Sequence, residues 1–260
     1  MTRRASTQAR PATLLNAGLI GSLALLLAGA PSVEAAEFTV SPTRVDLDAG
    51  RPTQTLVFGN QSEGTLSFEV SVRSWRQDET GQWILEDSDE LVVHPRMLHI
   101  EPGQRGNLRV GFLDEMPQNE RAYRIEVNQL PDAAAPRAGA VQMLTRVSLP
   151  VFTQYTPGHP GLHLVQARWQ QGRLWLQARN EGSRHVSPMP GTLRVFDAQQ
   201  QEIARTDMTL GYVLAGATIE LERPGLGHAC RAAARIEFTA EGLSEPLLAD
   251  IDATARTCAD

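Results

Sequence analysis

The sequence contains no lysine, so its 24 basic side chains are all arginine and, histidines aside, every cation is a planar guanidinium. Cysteine is nearly as scarce, with two in 260 residues, which excludes a fold built on a dense disulfide framework. No G-x-S-x-G and no H-E-x-x-H occurs, so two common hydrolase signatures are missing. Beyond the first 35 residues no ten-residue segment holds an apolar stripe of helical period. The formal charge of −6 gives no support for nucleic acid as a partner.

What is present begins with an export signal. Arg3, Arg4 and Arg10 form a basic region, Leu14 to Ala30 an apolar one, and Val33-Glu34-Ala35 a small-residue cleavage site. Residues 1–35 are therefore expected to be a signal peptide cleaved near Ala35. A membrane anchor is disfavoured by Gly18, Gly21 and Gly29, so no stable membrane insertion of the mature chain is expected.

The rest reads as short alternating runs broken every ten residues or so by turn residues, such as GNQSEG at 59–64 and EPGQ at 101–104. Runs of this kind predict an all-β fold of immunoglobulin-like β-sandwiches. TQYTPGHPG at 153–161 interrupts the pattern, which then restarts with LHLVQARW. The expected organisation is one sandwich over 36–152, a linker over 153–161 and a second sandwich over 162–260. Cys230 and Cys258 flank two predicted strands joined by the turn EGLSEP, so a hairpin would bring them together as a structural disulfide.

Residues 38–47 read FTVSPTRVDL. In period-two alternation Phe38, Val40, Pro42 and Arg44 share a face, which places a guanidinium next in an apolar row. Either its stem covers apolar surface while its head reaches water, or it serves an anion site, where arginine grips a carboxylate through two parallel hydrogen bonds.

Pairing AYRIEVNQLP with residues 140–152 through PDAAAPRAG centres a hairpin near Ala135. That register sets Tyr123, Ile125 and Val127 on one face with Val141, Met143, Val147 and Leu149, and brings Arg124 opposite Arg146 on the other. Two facing guanidiniums repel unless an anion, or a carboxylate such as Glu126, lies between them. The strand carrying Val141 and Met143 lacks the charges that usually blunt an exposed edge. It is either a covered strand or one open to another chain, and an open edge beside a carboxylate clamp is suited to the C-terminal strand of another protein.

SPTRVDL with Arg44, HPRMLHIEPGQRGNLRVGF at 94–112, NERAYRIEVNQLP at 119–131, RVSLPVF at 146–152 and YVLAGATIELE at 212–222 together resemble, in order, the PapD-like periplasmic chaperones of the chaperone–usher pathway. The wording of AYRIEVNQLP and SLPVF is most similar to the archaic, spore-coat-U-type branch. The resemblance implies an L-shaped pair of immunoglobulin-like sandwiches that captures an incomplete pilus subunit, lends it an edge strand and hands it to an outer-membrane usher. No ATP, metal or other cofactor is implied.

By the same resemblance Arg44 is the cleft arginine that binds the subunit's terminal carboxylate. The family's second anchor, a lysine, falls at Ser148 in this chain, and Arg146 and Arg124 are the local substitutes. The donor residues that fill the subunit's groove carry over as Val141, Met143 and Thr145.

The competing reading is a structural or adhesive immunoglobulin-like surface protein with a capped edge strand. An enzyme is not supported by any motif. His159 and His163 form H-x-x-x-H around Pro160 and Gly161 with no further ligand nearby, so no metal site is expected. The acidic run EDSDE at 86–90 lacks the ligand spacing of a calcium loop and is expected to be a solvated loop.

Overall fold

Alternating runs become strands almost wherever they occur. The computed structural model describes residues 38–112, 115–131, 143–155, 157–252 and 256–258; the expected leader and Val141 lie outside them. The first ten strands are β1 (Phe38–Ser41), β2 (Val45–Asp48), β3 (Thr53–Asn60), β4 (Leu66–Gln77), β5 (Trp83–Asp87), β6 (Leu91–His94), β7 (Met97–Ile100), β8 (Arg105–Phe112), β9 (Arg121–Gln129) and β10 (Arg146–Gln154). They form two facing sheets, one in the order β1-β3-β8-β6 and one in the order β2-β10-β9-β4-β5, with β7 also paired to β4. Leu56, Phe58, Leu108 and Val110 of the first sheet pack on Phe68, Val70, Ile125, Val127 and Val151 of the second, all fully or nearly fully buried. Each such side chain contributes roughly 1.5–3 kcal/mol by leaving water.

The second set is β11 (Leu162–Gln170), β12 (Arg173–Asn180), β13 (Met189–Asp197), β14 (Glu202–Leu210), β15 (Thr218–Arg223), β16 (Ala233–Ala240) and β17 (Leu247–Asp250). The sheets β11-β12-β15 and β14-β13-β16-β17 enclose Trp169, Leu174, Leu176, Leu193, Val195, Ile236 and Phe238. Among the described residues the one helical piece is a 3-10 turn, Gly227–Ala229. The expected all-β class with two immunoglobulin-like sandwiches is what the chain adopts.

Two expectations need correction. The row Phe38, Val40, Pro42, Arg44 is not one face of one strand, because β1 pairs with β3 while β2 pairs with β10 in the opposite sheet. Arg44 thus lies where the chain crosses from sheet to sheet. Arg124 and Arg146 share a face but do not stand opposite each other, since Arg146 pairs with Asn128, Ser148 with Glu126 and Pro150 with Arg124. The ladder is displaced by four residues from the expected register, an even number that leaves Tyr123, Ile125, Val127, Val147 and Leu149 on the core side. Alternation specifies the face a residue takes, and an even slip preserves it.

Strand β5 does not emerge from the sequence reading, and it takes Glu86 and Asp87 out of the acidic run expected to be a loop. Its signal is the short apolar group Trp83-Ile84-Leu85, of which Trp83 is half exposed.

Cys230 and Cys258 are bonded as expected, with Cα atoms 5.7 Å apart. Cys230 is fully buried after the 3-10 turn and does not open a strand, since β16 starts at Ala233. The bond holds the chain end against the β11–β12 turn, where Thr257 N donates to Trp169 O at 2.9 Å and Gly172 N donates to Thr257 O at 3.1 Å. Replacing Cys258 with serine is expected to lower stability by roughly 2–4 kcal/mol without abolishing the first sandwich. Urea unfolding of the oxidised protein and the variant measures this, and equal midpoints would deny the bond a stabilising role.

Candidate functional site, a cleft beside an open strand edge

One face of the β2-β10-β9-β4-β5 sheet packs on the first core; its other face carries Asp46, Phe152, Ser148, Arg124, Glu126, Trp75 and Trp83, as the registers of its pairs require. The second sandwich closes on one end of that face. Residues Ala36–Asp260 form a single compact unit, and the contacts across the cleft are specific. Trp75, Phe152 and Leu214 form a small buried cluster with Tyr212 against it. Gln77 reaches across with both ends of its amide, Nε2 donating to Tyr212 O at 2.9 Å and Oε1 accepting from Leu214 N at 2.8 Å. The β4–β5 turn adds a main-chain bond, Glu220 N to Thr80 O at 2.9 Å. Gly81, at φ +89°, lies so close that a Cβ there would meet Ile219 at 2.7 Å.

A buried contact between a carboxyl group and an imidazole completes the junction. Glu120 accepts from His185 N at 2.6 Å and lies 2.8 Å from His185 Nδ1, and the imidazole stacks on Phe152 with ring centres 3.4 Å apart. The loop carrying Arg184, His185 and Ser187 is held by fully buried Asn180. Its Nδ2 donates to Arg184 O at 2.8 Å and Val213 O at 3.0 Å, and its Oδ1 accepts from Gly161 N and Gly182 N at 2.9 and 3.0 Å. Gln77, Glu120, Asn180 and Arg184 escaped the sequence reading, because their partners are distant in the chain and no local pattern marks them.

The three candidate arginines occupy different settings. Arg44 donates through Nε to Asp46 Oδ2 at 2.8 Å and through Nη1 to Ser187 Oγ of the second sandwich at 3.2 Å. Arg124 is buried, with Nε donating to Ser148 Oγ and Nη2 to Ser148 O, each at 3.0 Å. Its guanidinium lies 4.7 Å from the Trp75 ring centre and 4.5 Å from that of Trp83, while Nη1 has no hydrogen-bond partner. Two indole faces stabilise a charge that the main chain alone could not satisfy. Burial presses the Arg124 pKa below its usual value, with Tyr212 and then Glu126 opposing that shift. Burial likewise raises the Tyr212 pKa, against the pull of Arg44 and Arg124.

Tyr212 therefore feels both Arg44 and Arg124, which the fold brings to one region. Arg146 is separate, bonded at 2.7 Å to buried Glu126, which also has Arg73 at 3.8 Å. At about 3.3 Å per residue, Arg146 sits roughly 13 Å along β10 from Pro150.

The edge of β10 is open over part of its length. β2 covers it in parallel from Val151 to Gln154, while among the described residues no strand covers Arg146 to Pro150 on that side. Pro150 fits such a place, since proline is confined to strand edges. Before β10, Gln129 N donates to Thr145 O at 2.9 Å, so the β9 ladder continues to Thr145. Met143 is 60% exposed and Leu144 47%, an unusual solvent exposure for adjacent large apolar side chains. Met143 and Thr145 keep the alternation that leads to Val147 and Leu149.

Residues 37–158 match the family described as pili and flagellar-assembly chaperone, PapD N-terminal domain. The match spans the first sandwich, 122 of the 260 residues, and over that segment the chain is similar to the pilus-assembly chaperones. The chain is also similar in fold to solved structures. One is the CsuC–CsuE chaperone–tip adhesion subunit pre-assembly complex from archaic chaperone–usher Csu pili of Acinetobacter baumannii. The match has 21% identity and a TM-score of 0.58, covering 83% of this chain and 98% of that one. Another is the Salmonella enterica SafA pilin in complex with the SafB chaperone, at 18% identity and TM-score 0.56, covering 84% and 97%. A third is the YadV chaperone, at 15% identity and TM-score 0.54, covering 81% and 96%. At these identities the likeness is one of fold. No curated protein sequence matches the chain.

Beside the junction, an open cavity of about 480 Å3 is lined by residues including Trp75, Glu90, Glu120, Arg121 and Tyr123. The Tyr123 hydroxyl donates to Glu90, and that bond first, then the Arg121 charge, hold the Glu90 pKa below its ordinary value against the effect of burial. A carboxylate with a depressed folded-state pKa adds stability above its unfolded pKa and loses it as pH falls through the folded value. Glu90→Gln is therefore expected to flatten the acid limb of the stability curve below about pH 4.5. Thermal melts of both proteins across that range check this, and parallel acid limbs would contradict it.

Proposed function

We propose that the protein is a periplasmic chaperone that captures pilus subunits by lending them the open edge of β10 and delivers them to an outer-membrane usher. In this reading residues 36–152 supply the capturing sandwich, 153–161 the linker and 162–260 the sandwich that closes the cleft. The observation that carries the proposal is the half-covered strand. β2 runs parallel to β10 and begins at Val45, opposite Val151, so the unoccupied part of its row lies alongside Arg146 to Pro150. A guest strand placed there and running parallel to β10 would end at Arg44. An antiparallel guest would instead put its carboxylate near Arg146, whose donor is already held by Glu126.

The arrangement supports specific roles. Arg44 grips the guest's terminal carboxylate; Arg124, covered by Trp75 and Trp83, adds positive potential and fixes Ser148 of the pairing strand. Arg146 is set aside as an anchor because it neutralises Glu126. Val141, Met143 and Thr145 are the proposed donors, Val141 lying outside the described residues. Burial of Met143 in a guest would contribute roughly 1.5–3 kcal/mol, enough with main-chain bonds for capture that an usher could reverse.

The test is periplasmic co-expression of the tagged protein with pilus subunits encoded beside it. Wild type is expected to purify as a one-to-one complex. Arg44→Ala should weaken capture by about one to two orders of magnitude while the protein stays folded, since charge-assisted bonds of this kind are worth roughly 1.5–3 kcal/mol. Met143→Asp should abolish capture. Folded proteins that retain no subunit in any of the three forms would favour a structural surface protein.

A further inference from the structure

Asp46 is a carboxylate already standing at the end of the guest's row. It accepts from Arg44 Nε at 2.8 Å, and its other oxygen lies 3.6 Å from Arg184 Nη2 of the second sandwich. Asp46 pairs in register with Phe152, so it sits on the face that looks into the cleft. An open cavity of about 420 Å3 lies beside it, with Arg184 and Phe152 also in its lining. All three charged side chains are between 32% and 39% exposed, so an anion in solution can reach them.

Two guanidiniums from two sandwiches repel unless an anion lies between them, and here the anion is internal. One aspartate against two arginines leaves the trio net positive, while Asp48 and Glu120 of the same cavity lining are engaged by Arg51 and His185, so the trio can still attract a second carboxylate. Arg184 is placed by the main chain, since its carbonyl accepts from buried Asn180 Nδ2. Arg44 is tied to the same loop through Ser187. The pair is thus built jointly by both sandwiches, which gives the second sandwich a direct part in recognising the guest's end.

We infer that Arg184 is a second carboxylate-binding residue and that Asp46 is a resident competitor, displaced when a chain end arrives along β10. This rests on the reading of β10 and Arg44 given above. Competition makes the site selective: a free anion must replace Asp46 unaided, whereas a terminal carboxylate brings strand pairing with it. Arg184 and Asp46 consequently act with opposite signs.

The experiment uses the mature protein and a short synthetic peptide of alternating valine and serine, made with a free terminal carboxylate and as the amide, with affinity read by calorimetry. Wild type is expected to prefer the acid. Arg184→Gln should weaken acid binding by about three- to tenfold and leave the amide unchanged, and Arg184→Lys should recover part of the loss. Asp46→Asn should strengthen acid binding by a similar factor, and Asp46→Glu should return it toward wild type. Added salt should shrink the difference between acid and amide. If Asp46→Asn disturbs the junction, seen as a lost cooperative melt, the two Arg184 variants decide the outcome. No discrimination between acid and amide by wild type would overturn the carboxylate clamp and this inference with it. Discrimination that depends on Arg44 but is unmoved by the Arg184 and Asp46 variants would overturn this inference alone.

Discussion

The structure turns on a strand paired fully on one side and half on the other. Along β10 the β9 ladder runs from Arg146 to Thr153 and is prolonged by the bond to Thr145, yet β2 covers its outer edge only from Val151 onward. Main-chain donors and acceptors that a sheet leaves unpaired must find water or another chain. The chain makes the edge short by crossing between sheets at Pro42 to Arg44, and the crossing brings a guanidinium to the point where the free edge stops. Edge and charge are two results of one topological event.

The junction between the sandwiches is equally constrained. Glu120 and His185 are almost wholly buried, and the charge of Arg124 lies against two adjacent indoles. Burying ionisable groups adds little net stability, because desolvation offsets attraction, but misplacing one partner is costly. Such contacts, with the two-ended bond of Gln77, penalise alternative orientations more than they strengthen the correct one. The result is a cleft whose walls hold Arg44 and Arg184 within reach of a common carboxylate.

The arginines show how charge is distributed by use. Arg146 neutralises buried Glu126, Arg124 is desolvated against aromatic rings, and Arg44 remains accessible beside Asp46. Three identical side chains thus stand in different settings, according to burial and to the carboxylate each one meets. Without lysine in the chain, all three depend on a planar group that can bond, stack and pair in fixed directions.

Local chemistry was readable from the chain: the strand class, the core-facing residues of β9 and β10 and the disulfide. Alternation and turn residues act over a few positions, so they survive without tertiary context. The exact ladder between β9 and β10 did not, because period two is blind to an even slip, and β5 was too short to announce itself. The sheet crossing at Pro42, the open half of β10, and the meeting of Arg44, Asp46 and Arg184 were decided only by the tertiary structure. Arg44 and Arg184 are 140 residues apart, and no periodicity relates them; they meet because the two sandwiches close on each other.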